Sequence, residues 1–335
     1  MKLRFVMITI ILPLLALAAY FALQSITAEQ GRLAVASSSV VRADEQSAIN
    51  DLIHELQKER GYSAGFVAST GENFARNLVR QRTETDRVVP PVLQQTRVLA
   101  ADRAVEFGRA EAAIGQLERF RLDVKNLNVN VPDVANFYTR IVNDLLLVAY
   151  PLGFDSSTEQ FTALQSSRAL LAAAKERAGL ERAMGSTGLS AGFSTEIYEI
   201  FLQHAGAQQA LIGETAKRLN STLLSDTLYD TPEFAALQTA RETIVRGAAT
   251  NEYGALSPAQ WFQISTAWID VLRDAENKKT NDIGLFAATT ESESIANLRY
   301  TTLFGALSIL VIGILAIGSF EWMIHRIKVL TTVVD

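Results

Sequence analysis

The sequence contains no cysteine, which excludes disulfide bonds and thiolate metal sites. Only seven prolines occur in 335 residues, and neither alternating apolar–polar runs nor Asn-Gly hairpin signals are found. The chain is instead rich in alanine, leucine, glutamate, glutamine and arginine, which are strong helix formers. These features predict an all-α fold.

Excess positive charge is also missing, because 31 lysines and arginines face 36 aspartates and glutamates and no long basic run occurs. The net charge of −5 argues against a nucleic acid partner. The three histidines, His54, His204 and His325, are scattered and have no convincing metal-ligand neighbour one helical turn away. The sequence contains no nucleophile–base set and no glycine-rich phosphate loop. We therefore expect no metal, no cofactor and no catalytic residue in this chain.

Two apolar runs, residues 5–26 and 300–324, are each long enough to cross a bilayer as a helix. A cleaved signal peptide is the rival interpretation of the first run, but signal peptides have a shorter apolar core and a better cleavage site. Lys2 and Arg4 precede the first run, and Arg326 and Lys328 follow the second. The positive-inside rule then predicts a two-span bacterial inner-membrane protein with both termini in the cytoplasm.

This topology divides the chain into a cytoplasmic N-terminus (1–4), a first span (5–26), a periplasmic helical domain (27–299), a second span (300–324) and a cytoplasmic end (325–335). Within the periplasmic domain, we expect the first helix to end near Val67. The next helix, over residues 73–125, should kink or break at Pro90-Pro91. A later helix should break between Gly185 and Gly188, and another should cover residues 191–224.

Three arginines, Arg60, Arg177 and Arg241, occur on apolar stripes of predicted helices. At 100° per residue, Arg60 lies about 20° from Ile49 and Ile53, so it points toward the surface that these residues pack against. The other two arginines lie at similar angles to apolar residues of their own helices. Three inward arginines on three helices are therefore expected to converge.

A short repeat links two of these arginines, since Lys58-Glu-Arg-Gly61 is echoed 117 positions later by Lys175-Glu-Arg-Ala178. Buried charge is costly unless it is paired, so inward arginines need either internal carboxylates or an anion from solution. Glu59, Glu176 and Glu181 are available as internal carboxylates. The alternative is a small planar oxyanion such as nitrate or nitrite, which suits the planar fork of guanidinium donors.

The segment Lys58-Glu-Arg-Gly-Tyr-Ser-Ala-Gly65, followed by Gln81-Arg82-x-x-Thr85-Asp86, resembles the opening of the NIT domain, the nitrate- and nitrite-sensing family. Lys175-Glu-Arg-Ala178 and Trp261 also fit the pattern of this family, and the resemblance covers roughly residues 45–275. It implies two stacked four-helix bundles, here flanked by two transmembrane helices, and a homodimer. It also implies that arginines bind nitrate or nitrite.

The resemblance assigns the ligand role first to Arg60 and Arg177, and then to Arg241 or its neighbour Arg246. NIT domains occur outside the membrane in chemoreceptors, histidine kinases and cyclases, and also in soluble antiterminators. Residues 321–330 resemble the beginning of a HAMP linker, although Ile327 stands where the usual proline is expected.

We therefore predict a receptor that senses nitrate or nitrite outside the membrane and relays the signal to a cytoplasmic output. A longer chain or a partner protein would supply that output. The alternative is a membrane-anchored helical protein that binds a periplasmic protein partner and uses its arginines in structural ion pairs.

Overall fold

A computed structural model describes residues 2–99, 103–150, 159–219, 223–250 and 252–334. The described residues form helices and connecting turns and contain no strand, so the predicted all-α fold is confirmed. The helices are α1 (Lys2–Ala68), α2 (Ala75–Leu99), α3 (Ala104–Ile114), α4 (Leu117–Lys125), α5 (Val131–Ala149), α6 (Glu159–Ala191), α7 (Thr195–Arg218), α8 (Leu223–Tyr229), α9 (Pro232–Gly247) and α10 (Pro258–Val334).

The chain divides into two compact units. We call residues 41–284 the central unit, and residues 1–40 with 285–335 the terminal unit. Two helices among the described residues are long and apolar enough to cross a membrane, one over Leu12–Ser38 and one within Pro258–Arg326. In the terminal unit their apolar side chains, such as Leu17, Leu310 and Ile314, are exposed rather than packed in a core. This exposure is typical of helices that face lipid.

The central unit contains two four-helix bundles, each joined by a buried glutamate. In the first, Glu59 of α1 pairs with Arg121 of α4, at 2.7 Å from Nε to Oε1, and accepts a hydrogen bond from Tyr138 of α5. Arg121 also pairs with Asp86 of α2, so that one ionic cluster reaches all four helices. Buried carboxylates of this kind hold helices in register because all their oxygens need partners.

In the second bundle, Glu181 of α6 has the role that Glu59 has in the first. It pairs with Arg241 of α9 and accepts a hydrogen bond from Gln208 of α7. Gln208 in turn accepts a hydrogen bond of 2.7 Å from the indole Nε1 of Trp268 on α10. Trp261 and Trp268 are fully buried and fill the core of this bundle.

Local sequence signals explain where several helices begin and end. α1 ends at Ala68, as predicted, and Gly71 then turns the chain with a φ of 90° that only glycine adopts without strain. Asn130 and Asp133 form a capping box at the start of α5. Thr231 caps α9, with Pro232 in the first turn.

Of the predicted kink or break at Pro90-Pro91, the break is wrong, because α2 continues through both prolines to Leu99. Proline removes the amide hydrogens that would bond to the carbonyls of residues 86 and 87. These residues and both prolines lie on an exposed part of the helix, where water can take the place of the lost donors. In the described residues, the predicted helix over residues 73–125 corresponds to three helices, α2, α3 and α4.

The predicted break between Gly185 and Gly188 is also wrong, since α6 runs on to Ala191. A Cβ atom at Gly185 would collide with the indole of Trp261, and one at Gly188 would collide with Phe193. The two glycines therefore serve close packing rather than chain reversal. The single helix predicted over residues 191–224 is divided into α7 and α8.

Candidate functional site

Arg60 points inward, as its stripe position predicted, and its side chain is 0% exposed. Its Nη1 lies 2.6 Å from Oε1 of Glu176 on α6, and its Nη2 lies 3.1 Å from Oε2. Nη1 also donates to the hydroxyl of Thr139 on α5, at 2.8 Å. In the described part of the chain, the Nε–H of Arg60 has no hydrogen-bond partner. Arg60 thus joins α1, α5 and α6 through its two Nη atoms.

Arg241 is also buried, but each of its three guanidinium nitrogens has a hydrogen-bond partner. Its Nε and Nη2 lie 2.6 and 2.7 Å from the two carboxylate oxygens of Glu181, and its Nη1 donates to Gln238. This is an internal ion pair of the kind that the alternative interpretation expected. The neighbouring Arg246 is exposed, and its Nε donates to the carbonyl of Glu242.

Arg177 does not point inward, which corrects the stripe argument for this residue. Its side chain is exposed, whereas Glu176, Ala178 and Gly179 on either side of it are buried. The middle of α6, residues 178–188, is buried on every face. A helix surrounded in this way has little amphipathic pattern, so the angular rule could not identify its surface residue. The ligand role of Arg177 stays a prediction.

Arg182, which the sequence argument did not select, has the inward orientation on α6 that was predicted for Arg177. It is 0% exposed, its Nη2 donates to the carbonyl of Gln57 at 2.8 Å, and its Nη1 donates to Thr266 at 2.9 Å. Its guanidinium lies 4.6 Å above the centre of the Phe262 ring. Among the described residues, its Nε–H has no hydrogen-bond partner and its guanidinium forms no ion pair.

The two arginines face each other across the place where α1 and α6 touch, which we call the α1–α6 contact. A Cβ atom at Gly61 of α1 would lie 3.2 Å from Nε of Arg182, and a Cβ atom at Gly179 of α6 would lie 3.0 Å from Nη2 of Arg60. Each glycine makes room for the arginine of the opposite helix. The contact consists of Gln57, Arg60 and Gly61 of α1 with Glu176, Gly179 and Arg182 of α6.

A second register of the sequence repeat would have found Arg182. The dipeptide Glu181-Arg182 follows Glu59-Arg60 by 122 positions. The glutamates have equivalent partners, because Glu59 pairs with Arg121 inside the first bundle as Glu181 pairs with Arg241 inside the second. The arginine after each glutamate then points to the other bundle. An offset of 117 positions aligns more identical residues, but it aligns the exposed Arg177 with the buried Arg60.

Arg60 has an ion-pair partner at the α1–α6 contact, whereas Arg182 has none among the described residues. Burial, followed by the positive charge of Arg60, lowers the pKa of Arg182 to about 10. The negative charges of Asp270 and Glu176 act on Arg182 in the opposite direction without forming an ion pair with it. Arg182 therefore still carries its proton at neutral pH.

A surface cleft of about 550 Å³ reaches the wall of this contact from outside. Thr266 and Phe262, which touch Arg182, also line the cleft. Tyr62 stacks on Phe262 with 4.2 Å between ring centres, and Phe74 lies beside them. The remaining lining residues are Asn73, Asn77, Ala259, Gln263, Ala267 and Asp270. A small solute in the cleft is therefore separated from Arg182 by the side chains of Thr266 and Phe262.

The histidines lie outside this site chemistry. Burial is the main cause that lowers the pKa of His54 to about 2 and that of His204 to about 4, so both imidazoles are neutral at pH 7. Within the described parts of the chain, no group of three His, Cys, Asp or Glu side chains has the geometry to hold a metal ion.

Comparison with known proteins gives a family match over the same part of the chain. Residues 51–284 match the NIT family model, described as nitrate and nitrite sensing. Among solved structures, the chain is similar to the NasR transcription antiterminator, with a TM-score of 0.62 and 18% identity over 84% of this chain and 82% of that one. At this identity the similarity shows a shared fold alone. No curated protein matches the chain.

Proposed function

This chain belongs to the NIT family of nitrate- and nitrite-sensing domains, and on that premise we propose that nitrate or nitrite binds at the α1–α6 contact, between Arg60 and Arg182. The observation that carries this proposal is Arg182, a fully buried guanidinium that forms no ion pair with any carboxylate of the described residues. An isolated buried charge is costly, and proteins keep such charges where a counterion is part of the function.

The chemistry of the contact fits a small planar monovalent anion. Nitrate and nitrite each carry a single negative charge, which would give Arg182 the ion-pair partner that the described residues do not supply. Guanidinium groups bind planar oxyanions through pairs of parallel N–H donors, which a spherical chloride ion cannot satisfy in the same way. The hydroxyl of Ser186, one helical turn beyond Arg182, is also buried and unpartnered and offers another donor on the same helix.

The cleft beside Thr266 and Phe262 is the access route that we favour for the anion. Two residues that touch Arg182, Thr266 and Phe262, line this cleft. Small side-chain rotations of Thr266 and Phe262 would connect the cleft to the guanidinium. Rotamer changes of this size are common on ligand binding and need no backbone movement.

The protein would act as a two-span receptor of the bacterial inner membrane. The two apolar helices and their positive outer flanks support a periplasmic central unit and cytoplasmic termini. α1 carries Arg60, and α10 carries the Thr266 and Phe262 contacts of Arg182. Both helices continue into the apolar segments, so an anion that binds one arrangement of α1, α6 and α10 better than another would shift the receptor toward that arrangement.

A homodimer and a HAMP-like linker to a cytoplasmic output complete this receptor proposal, in keeping with the resemblance described above. The alternative, a helical protein that binds a periplasmic partner, is favoured by the two internal ion pairs Arg60–Glu176 and Arg241–Glu181. The partner-binding alternative does not explain why Arg182 is buried without an ion-pair partner among the described residues. For this reason we prefer the anion-sensor proposal.

The proposal is tested by calorimetric titration of the full chain in detergent with nitrate, nitrite and chloride. We expect saturable binding of nitrate or nitrite and at least about tenfold weaker binding of chloride, because only the planar anions use paired donors. The substitution Arg60→Lys keeps the charge but removes the fork, and should weaken binding about tenfold or more.

Arg241→Lys is the matched control, since it makes the same change in the charge-balanced pair with Glu181. It should leave the anion affinity within about twofold of the wild-type value. If the folded wild-type chain binds neither nitrate nor nitrite, the anion-sensor proposal fails and the partner-binding alternative replaces it.

A further inference from the structure

Glu176 already occupies the position on Arg60 that a planar anion would use. Its two carboxylate oxygens lie 2.6 and 3.1 Å from Nη1 and Nη2, one oxygen for each nitrogen of the fork. A carboxylate and a nitrate ion both present two coplanar oxygens with delocalised negative charge. They are therefore equivalent partners for the same guanidinium edge.

This carboxylate also connects two helices. Glu176 belongs to α6, and both of its hydrogen-bond donors belong to α1: the guanidinium of Arg60 and the side-chain amide of Gln57, whose Nε2 lies 2.7 Å from Oε2. Glu176 is 5% exposed, so water cannot replace these donors without a change in packing. The ion pair is thus a latch between α1 and α6.

We propose that Glu176 is an internal competitor of the anion: nitrate or nitrite replaces it on Arg60 and so releases the latch between α1 and α6. This inference rests on the proposed function, and it names the residue that sets the affinity and the selectivity of the site.

The charges around the contact allow the replacement. With the latch closed, Arg60 pairs with Glu176, and Arg182 forms no ion pair with a described residue, although the charges of Asp270 and Glu176 act on it. With a monovalent anion on Arg60, the anion takes the place of the carboxylate as the ion-pair partner of Arg60. The released carboxylate keeps a donor in Gln57 and remains within the electrostatic field of Arg182.

An internal competitor explains how a site with two arginines can respond to changing anion concentration rather than remain filled. The observed affinity is the intrinsic affinity multiplied by the fraction of molecules in which Arg60 is available. The competitor also selects for shape, because an anion that cannot make two in-plane bonds to Arg60 cannot replace a carboxylate that makes them. Binding is converted directly into a loss of one contact between two helices.

The test compares nitrate binding by the full chain in detergent and by two variants, Glu176→Gln and Glu181→Gln. Both substitutions neutralise a buried carboxylate of α6 that pairs with an arginine, but only the first removes the competitor. We expect Glu176→Gln to bind nitrate at least about tenfold more tightly than wild type, and Glu181→Gln to stay within about twofold.

Equal or weaker nitrate binding by folded Glu176→Gln, with wild type binding normally, would overturn the competitor while leaving the proposed function intact. If wild type itself shows no nitrate binding, the proposed function fails instead, so the two failures are distinct.

Should Glu176→Gln not fold, Gln57→Ala provides the second test, because it removes one donor to Glu176 without changing the charge. It should bind nitrate about threefold more tightly, and an unchanged affinity would contradict the proposal.

Discussion

Arg182 of α6 and Arg241 of α9, which pairs with α6 through Glu181, are both buried but differ in what their guanidinium groups contact. Arg241 has a carboxylate on its guanidinium, at 2.6 and 2.7 Å, whereas Arg182 has a carbonyl, a hydroxyl and an aromatic ring. Burial alone therefore does not separate the two arginines, whereas the presence of an ion pair among the described residues does. The proposed function assigns a structural role to Arg241 and anion binding to Arg182.

The largest expected effect concerns the ion pair between Arg241 and Glu181. Glu181→Ala should destabilise the protein by about 3–5 kcal/mol, because it leaves Arg241 buried and unpaired. Chemical denaturation of the detergent-solubilised chain measures this loss. Nitrate should not restore the lost stability preferentially in this variant, since the Arg241 pair is outside the proposed site. Preferential rescue by nitrate would show that Arg241 also binds an anion. Arg241 and Arg182 would then no longer differ in this respect.

A smaller change in stability, of opposite sign, is expected at Arg182. Arg182→Met replaces an uncompensated buried cation by an apolar side chain of similar length, so the unliganded protein should gain about 1–2 kcal/mol after the loss of two hydrogen bonds. Thermal unfolding without nitrate measures the gain. With nitrate present, wild type should be stabilised and the variant should not. A variant that is less stable than wild type without anion would indicate that Arg182 has a structural role.

The smallest effect is a dependence of nitrate affinity on alkaline pH. The pKa of Arg182 is lowered to about 10, so the charge that holds the anion is present below pH 10 and is lost above it. Affinity should be constant between pH 7 and 9 and should fall about tenfold by pH 11. Titrations across this range check it. A constant affinity up to pH 11 would show that the charge of Arg182 does not hold the anion.

The helical architecture was predictable because its signals are local. Apolar periodicity, the Thr231 cap and the Asn130 capping box act within a few residues of the helix ends that they fix. The inward orientation of Arg60 was also predictable, since its neighbours Ile49 and Ile53 form a clear apolar stripe.

The remaining features depend on tertiary contacts that no local pattern encodes. Gly185 and Gly188 have the composition of a helix break, but their function is to admit Trp261 and Phe193. Arg177 and Arg182 lie on a helix that is buried over most of its surface, so only the contact with α1 decides which of them is enclosed. That Glu176 would pair with Arg60, and leave Arg182 unpaired, required the positions of both helices.

The most direct test of the central claim compares two substitutions on α6 that remove the same charge five residues apart. Nitrate titrations of the full chain should show that Arg182→Gln abolishes binding, whereas Arg177→Gln, at an exposed position, leaves the affinity within about twofold of wild type. If Arg177→Gln abolishes binding and Arg182→Gln does not, the anion site is not at the α1–α6 contact, and the unpaired guanidinium of Arg182 has no part in sensing.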